Sequence, residues 1–484
     1  MPTKIPMKDM VIVLPGILGS VLQKEGKDLW APSGQSILNL VARSQKTMAS
    51  LALGFDDPTL DDLGDGIQAT ALIEDLHLVP GLAKVDGYTR TTRMIVDNFQ
   101  VTQGDIYRDP ADKPANFYPF PYDWRRDNRV HAHKLKALVE LRLRCWRARS
   151  GAADAKVIVL AHSMGGLVAR YYLEVLGGWR DARALFTFGT PHRGSVNSLN
   201  FLANGYKKLS LDFTDVMRSL TSIYQLLPLY PAVKIGEDYV RVTETEKIPN
   251  VNLERAADAR TFHDEIYDAV QANRKDERYR NEFTTVPVVG IRQPTLQSAE
   301  LMGDKLVASK KLPKVLQGRT DFLDGDGTVP KISAIPNELS NSFSNKFIAE
   351  THGSLQNQEQ ILRSVKDAIA TTQFTDAYAI RDVPNTIGLA VDDAYLPDEP
   401  IVLRAQVIAY PKVTELQAVI TPIAGSASPL VLPFKQTQTE HWILSLASLP
   451  AGLYRVAVST PNSCGRRPPS PVNSSFEVID SSVV

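Results

Sequence analysis

Six short apolar runs punctuate the first three quarters of the chain: "MVIVLPG", "FYPFPYDWR", "KVIVLAHS", "ALFTFGTP", "VPVVGIRQ" and "NKFIAETHG". In each, hydrophobic residues follow one another without a polar alternate, the pattern of a strand buried on both faces. Stretches with helical spacing separate them, such as the one that puts Leu135, Leu138, Leu141 and Cys145 on one stripe. Strands of this kind alternating with helices predict an α/β fold with a mostly parallel sheet. The interval between "GTPHRGS" and "VPVVGIRQ" is too long for a simple crossover, so a helical cap is expected at about residues 196–285. Within it "DFTDVMRSLTSIYQLLP" predicts one amphipathic helix, with Thr214 and Asp215 as capping candidates and Pro228 as the stop. Its apolar face, Met217, Leu220, Ile223 or Tyr224, and Leu227, suits packing on the core and also lining an acyl chain. A further segment has Ile37, Val41, Met48 and Phe55 at near-helical spacing. It predicts either a lid within 33–60 or a helix at the sheet edge.

From about Asp382 the pattern changes. Alternating runs such as "IVLRAQVIAY", "HWILSLASL" and "GLYRVAVST" are separated by turn residues, and Tyr454, Val456 and Val458 fall on one face. Residues 1–380 are therefore expected to form the α/β unit and residues 381–484 an immunoglobulin-like β-sandwich.

Composition narrows the class. The 484 residues, 43% hydrophobic and 22% charged, describe a folded chain of more than one domain. Lys plus Arg equals Asp plus Glu at 54 each, so no global field calls for nucleic acid as a partner. Cys145 and Cys464 are too few for a disulfide scaffold or a thiolate metal cluster, and a reducing compartment fits. Lys4 and Lys8 before "MVIVLPGILGSVL" imitate a secretory signal. Pro15-Gly16 interrupts that run, however, and it serves better as a first core strand, so a cytoplasmic location is expected. No apolar stretch is long enough for a spanning helix, so contact with a membrane is expected to be peripheral.

The chemistry centres on "VIVLAHSMGGLVARYYLE". Ser163 stands between a hydrophobic strand and an amphipathic helix, the context of the strained elbow that exposes a catalytic serine. That elbow usually reads G-x-S-x-G, and here the first glycine is Ala161. A serine needs a base to take its proton, and the base needs a carboxylate to hold its tautomer. Chain order serine, acid, histidine is met by Ser163, the loop "DFLDGDGTVP" and His352 in "ETHGSL". Among Asp321, Asp324 and Asp326, the last is preferred because Gly325 and Gly327 let the backbone bend behind it. A calcium loop is the alternative, but the EF-hand pattern fails from either Asp321 or Asp324. The oxyanion hole is assigned to the amides of Met164 and Ile17, the latter from "LPGILGS". No cofactor and no metal are expected. "YPFPYDWR" reads as scaffold beside the elbow, with Asp123 pairing with Arg125 or Arg126.

"VIVLPGILGS", "DLWAP", "YPFPYDWR", "AHSMGGLVARYYLE", "GTPHRGS", "DGDGTVP" and "THGSL", in this order, resemble the lecithin:cholesterol acyltransferase family. That family includes lysosomal phospholipase A2 and phospholipid:diacylglycerol acyltransferases. The resemblance spans roughly residues 9 to 370 in patches. It implies an α/β-hydrolase with Ser163 as nucleophile, Asp326 as acid, His352 as base, Ile17 and Met164 as oxyanion donors, and a lipid ester as substrate. The chain departs from the family in having no cysteine near Trp30, a cap that matches only in fragments, and an added sandwich. The expected function is a phospholipase or lipase working through an acyl-enzyme at a membrane surface. The alternatives are an acyltransferase with an alcohol acceptor, a non-lipid esterase or amidase, and an interaction protein whose sandwich docks a regulatory partner. If the sandwich restrains access, its removal is expected to raise activity.

Overall fold

In the computed structural model the six apolar runs become one parallel sheet. Its strands are β1 (Met10–Leu14), β2 (Phe117–Pro119), β3 (Val157–His162), β4 (Ala182–Phe188), β5 (Thr284–Ile291) and β6 (Phe347–Ala349), in the order β6-β5-β4-β3-β1-β2. Every neighbouring pair is parallel. The structure describes residues 4–31, 50–74, 77–79, 83–85, 87–108, 114–208, 211–318, 323–339, 347–372, 386–392, 394–396, 398–408, 413–423, 428–438, 440–461, 469 and 471–479. Alternate residues of the central strands enter two apolar layers. Ile12, Leu14, Val157, Val159 and Leu185 face one layer, and Val11, Val13, Ile158, Leu160 and Phe186 face the other. This is why the strands carry no polar alternate: each face is covered by helices.

Helices that flank the sheet or fill the interval between β4 and β5 are α1 (Thr89–Asn98), α2 (Asn128–Ser150), α3 (Gly165–Arg170), α4 (Val196–Asn204), α5 (Thr214–Ser219), α6 (Thr221–Tyr224), α7 (Leu253–Asn273), α8 (Glu277–Glu282) and α9 (Glu359–Thr372). Helices α1 and α9 bury Ile95, Ile361 and Val365 in one layer, while α2 and α3 bury Leu135, Leu143 and Leu167 in the other. Asp127 caps α2 by accepting the Arg129 N–H, and Gly151, in the left-handed region, ends it. The expected α2 stripe holds at Leu135 and Leu138 but not at Leu141, which is 44% exposed. Steps of three drift off a 3.6-residue helix, so Val139, Arg142 and Leu143 occupy the inner face instead.

Helices α4 to α8 occupy the interval expected for the cap. The single helix expected from "DFTDVMRSLTSIYQLLP" is two short ones, because Leu220 is extended with ψ 126°. Arg255 stabilises the break by donating to the Arg218 and Ser219 carbonyls. The residue before α5 is Phe213, with no side-chain cap, so Thr214 and Asp215 do not serve there. The predicted apolar face, Met217, Leu220, Ile223, Tyr224 and Leu227, is buried throughout. Of the expected lid, residues 33–49 lie outside the described residues; residues 50–60 are turns and coil, with Phe55 exposed.

Residues 386–478 carry two further sheets. One contains β7 (Thr386–Ala390), β9 (Ile401–Ile408), β12 (Lys435–Gln438) and β13 (His441–Leu446). The other contains β8 (Ala394–Tyr395), β10 (Gln417–Pro422), β11 (Leu430–Pro433), β14 (Gly452–Ser459) and β15 (Val472–Val478). Leu403 and Trp442 of the first and Val456 and Phe476 of the second share one core, as in a sandwich. Among the described residues no helix is long and apolar enough to cross a membrane.

His131, His162 and His263 are buried, and desolvation lowers their pKa values, to about 3 for His162 and about 4 for His263. In the unfolded chain a histidine takes up a proton near pH 6.5, whereas these folded ones do not. Their contribution to stability is therefore complete above about pH 6.5 and declines as the pH falls toward the folded values. The thermal unfolding midpoint should drop between pH 7 and pH 5, by up to roughly 2 kcal/mol of stability per buried histidine. His263→Gln, which can still donate to the Gln225 carbonyl, should flatten that slope; an unchanged slope would remove His263 from the account.

Candidate active site

The sheet presents Ser163 at the carboxyl end of β3. The chain reverses there with Ser163 at φ 50°, a left-handed conformation that costs a non-glycine residue energy. Two hydrogen bonds hold it: Ser163 N–H donates to the Phe188 carbonyl at 2.8 Å, and Gly166 N–H to the Ser163 carbonyl at 3.0 Å. A Cβ placed on Gly165 would lie 2.3 Å from the Pro15 carbonyl oxygen, so no side chain fits at that position. Ala161, by contrast, is fully buried in regular pairing with Leu14 and Thr187. The crowding that makes this elbow glycine-dependent falls after the serine, not before it.

His352 and Asp326 come to Ser163 from loops beyond β6 and β5. His352 Nε2 lies 2.8 Å from Ser163 Oγ, and its Nδ1 lies 2.7 Å from Asp326 Oδ2. A carboxylate accepts, so Nδ1 carries the proton and the Nε2 lone pair faces the serine hydroxyl. Asp326 Oδ1 accepts the Thr328 and Val329 amides at 3.0 and 2.7 Å, which fixes the carboxylate in a fully buried position. Room for the pair depends on Gly189 at φ 58°, where a Cβ would stand 2.8 Å from Asp326 Oδ2 and 2.9 Å from His352 Nδ1. Asp324 is absent from these contacts, and burial pushes its pKa up to about 6. Asp321 lies outside the described residues.

The loop after β1 runs beside the serine, pinned by the polar tips of three aromatic side chains. Tyr122 Oη donates to the Pro15 carbonyl at 2.9 Å, Trp30 Nε1 donates to the Leu18 carbonyl at 3.0 Å, and Tyr88 Oη accepts the Gly16 amide at 2.8 Å. Gly19 N–H closes the turn on the Gly16 carbonyl. Among the described residues neither the Ile17 nor the Met164 amide donates to any acceptor; Ile17 lines the same cavity as Ser163, and Met164 follows the serine in the chain.

His162 belongs to this apparatus in a way its position beside the serine gave no sign of. Its Nε2 lies 3.0 Å from the His352 carbonyl, which can only accept, so Nε2 bears the proton. Nδ1 then accepts from Tyr88 Oη at 3.0 Å. One chain of hydrogen bonds thus runs from the Gly16 amide through Tyr88 and His162 to the backbone of His352. No local motif marks Tyr88, which stands 74 positions from its partner.

The lecithin:cholesterol acyltransferase family profile matches residues 112–308. That stretch is lecithin:cholesterol acyltransferase-like. It holds Ser163 and Met164 and ends before Asp326 and His352. Solved structures resemble the chain distantly. A Bacillus licheniformis lipase in its propeptide form is 11% identical, with 99% of this chain and 95% of that one covered at a TM-score of 0.33. The phospholipase PlaB from Legionella pneumophila is 10% identical, with 97% and 90% covered at a TM-score of 0.18. The CARDB domain of a Pyrococcus furiosus protein is 7% identical over 20% of this chain and 87% of its own length, at a TM-score of 0.15. No curated protein matches.

The sandwich, beyond the lecithin:cholesterol acyltransferase-like stretch, reaches the site directly. Glu350, fully buried two residues before His352, accepts the Asn473 amide at 3.1 Å and the Thr351 amide at 2.8 Å. Thr351 Oγ1 donates to the Asn473 carbonyl, and the Leu389 amide to Gln293 Oε1. Among the described residues no group of three or more His, Cys, Asp or Glu is placed to hold a metal ion.

Tyr88→Phe removes the hydroxyl that joins the Gly16 amide to His162 and should lower kcat about 5- to 10-fold with KM little changed; steady-state kinetics on a soluble ester checks this. Because Glu350 and Asn473 brace the His352 loop, Glu350→Gln should lower kcat by a similar factor with an unchanged circular dichroism spectrum, and removal of residues 381–484 should lower it further. A truncated chain more active than the whole would instead assign the sandwich a restraining role.

Proposed function

We propose that the protein is a serine hydrolase that cleaves acyl esters of lipids, with a phospholipid or related lipid met at a membrane surface as its substrate. The observation that carries this reading is the continuous hydrogen-bonded series Asp326, His352, Ser163, with a tautomer that leaves His352 Nε2 free to take the serine proton. The lecithin:cholesterol acyltransferase-like stretch supports ester chemistry on acyl lipids, as esterase or acyltransferase. Ser163 Oγ attacks the carbonyl carbon as its proton passes to His352 Nε2. The oxyanion lies against the Ile17 and Met164 amides, donors of a kind whose single loss costs about 3 kcal/mol of barrier. Collapse expels the alcohol, which takes the proton from Nε2, and leaves the acyl group on Ser163. Water then attacks the acyl-enzyme with His352 again as base, and the acid leaves.

The side chain of His352 is 11% exposed, which gives water a path to the base for the hydrolytic step. Beside the serine lies an apolar cavity of about 50 Å³, walled by Ile17, Phe201, Ile223 and Leu226. A short acyl group fits, and a long chain requires the side chains of α4 and α6 to move apart. Of the apolar face read from the sequence, all packs on the core and Ile223 alone also lines the cavity.

A fluorophosphonate probe should label Ser163, and both Ser163→Ala and His352→Ala should abolish labelling. Ser163→Ala should also stop fatty acid release from phospholipid vesicles, with kcat at least 10⁴-fold lower on p-nitrophenyl butyrate. Undiminished release would sink the assignment. Absence of labelling in any lipid or detergent would favour a binding role. Activity confined to short acyl groups, with none on lipid, would favour a non-lipid esterase.

A further inference from the structure

Two spaces meet at His352. The first is the small apolar cavity beside Ser163. The second is a groove of about 580 Å³, lined on the hydrolase side by residues including Gln293, Lys310 and Thr351 and on the sandwich side by Val391, Arg404 and Ser474. Asn197, Thr328 and His352 line both, so the imidazole stands where one gives way to the other.

An ester presents two unlike parts to such a site: an acyl chain that stays on the serine and an alcohol that leaves. The first space is apolar and suits the chain. The second carries charge. Lys310 and Arg404 are exposed, and among the described residues neither side chain has an ion-pair or hydrogen-bond partner. Gln293, 1% exposed, spends Oε1 on the Leu389 amide and leaves its Nε2 donor without a partner among the described residues. Of the two carboxylates on the groove, Asp326 is already committed to His352, Thr328 and Val329, which leaves Asp392 against two cations. The balance favours an anion.

Resting on the acyl-enzyme reading above, we infer that this groove is the leaving-group subsite, that the C-terminal sandwich builds one of its walls, and that it takes an alcohol bearing a phosphate. When the ester C–O bond breaks and the Ser163–acyl bond has formed, His352 Nε2 hands its proton to the departing oxygen. The phosphate of that alcohol is then held by Arg404 and Lys310. The sandwich thereby selects substrate as well as bracing the His352 loop, which the family resemblance, confined to the hydrolase unit, could not indicate.

Monomeric short-chain esters remove the charge of a membrane surface from the test. The ratio of kcat/KM for dibutyryl phosphatidic acid to that for dibutyrylglycerol is measured with the full chain and with Arg404→Ala, Lys310→Ala and the double variant. The ratio should favour the phosphate ester in the wild type and fall at least 10-fold in the double variant, chiefly through KM. A ratio within twofold of wild type overturns the assignment. Glycerol 3-phosphate should inhibit the wild type competitively and the double variant at least 10-fold less; inorganic phosphate inhibiting equally well would assign the groove to free phosphate instead. Hydrolysis that persists in Ser163→Ala defeats the acyl-enzyme reading itself. Hydrolysis lost in Ser163→Ala with the ratio intact in the double variant defeats only the groove.

Discussion

The left-handed turn at Ser163 is the constraint around which this molecule is arranged. A serine at φ 50° persists only where its surroundings over-determine it. Here the strand before it is locked between β1 and β4, its own amide is bound by Phe188, and α3 starts at once behind it. The close approach of Gly165 to Pro15 then packs the loop after β1 against the elbow. Local strain is offset by the burial of both faces of the sheet, which is the largest favourable contribution in a fold of this type.

Everything else near the serine serves to limit motion. Tyr88, Tyr122 and Trp30 use apolar bodies to fill the core and polar tips to hold the backbone of residues 15–18, which leaves the Ile17 donor unsatisfied. On the proposed mechanism, preorganisation of this kind carries value because donors already in place for a developing charge need no reorganisation during reaction. His162, neutral by burial, joins the donor loop to the backbone of His352, so the two halves of the apparatus are positioned against each other by a group that does not change its charge. The motif "YPFPYDWR" has the same logic. Tyr122 and Trp124 bond to the loop after β1, while buried Arg125 is neutralised by Asp123 and Asp65.

The sandwich extends this bracing across the chain. A buried carboxylate such as Glu350 is tolerable only with donors around it, and one of those donors is the backbone of Asn473. The loop that carries His352 therefore depends on a strand more than a hundred residues away. An accessory unit with such a contact is part of the site's architecture, and its outer face at Arg404 borders the groove that opens on His352.

The parallel sheet was legible in the chain's pattern, because runs apolar at every position have no stable place except between two layers of helices. Chain order and strand ends marked Ser163 and His352 as candidates, while the regular strand that absorbs Ala161 was visible only in the fold. Short-range geometry also singled out Asp326 and the Ile17 and Met164 amides. The flanking glycines favoured Asp326 over Asp324, and the fold makes the contact: both lie in one loop, and the turn of the backbone brings Asp326 to the imidazole. The tertiary structure alone decided that Leu220 breaks the cap helix, because Arg255 supplies the donors that the freed carbonyls need. It alone joined Tyr88 to His162 and Glu350 to Asn473. Such pairs are invisible in a single sequence because hydrogen bonds between distant segments leave no periodicity and no spacing; they exist only where the fold brings a donor within 3 Å or so of an acceptor.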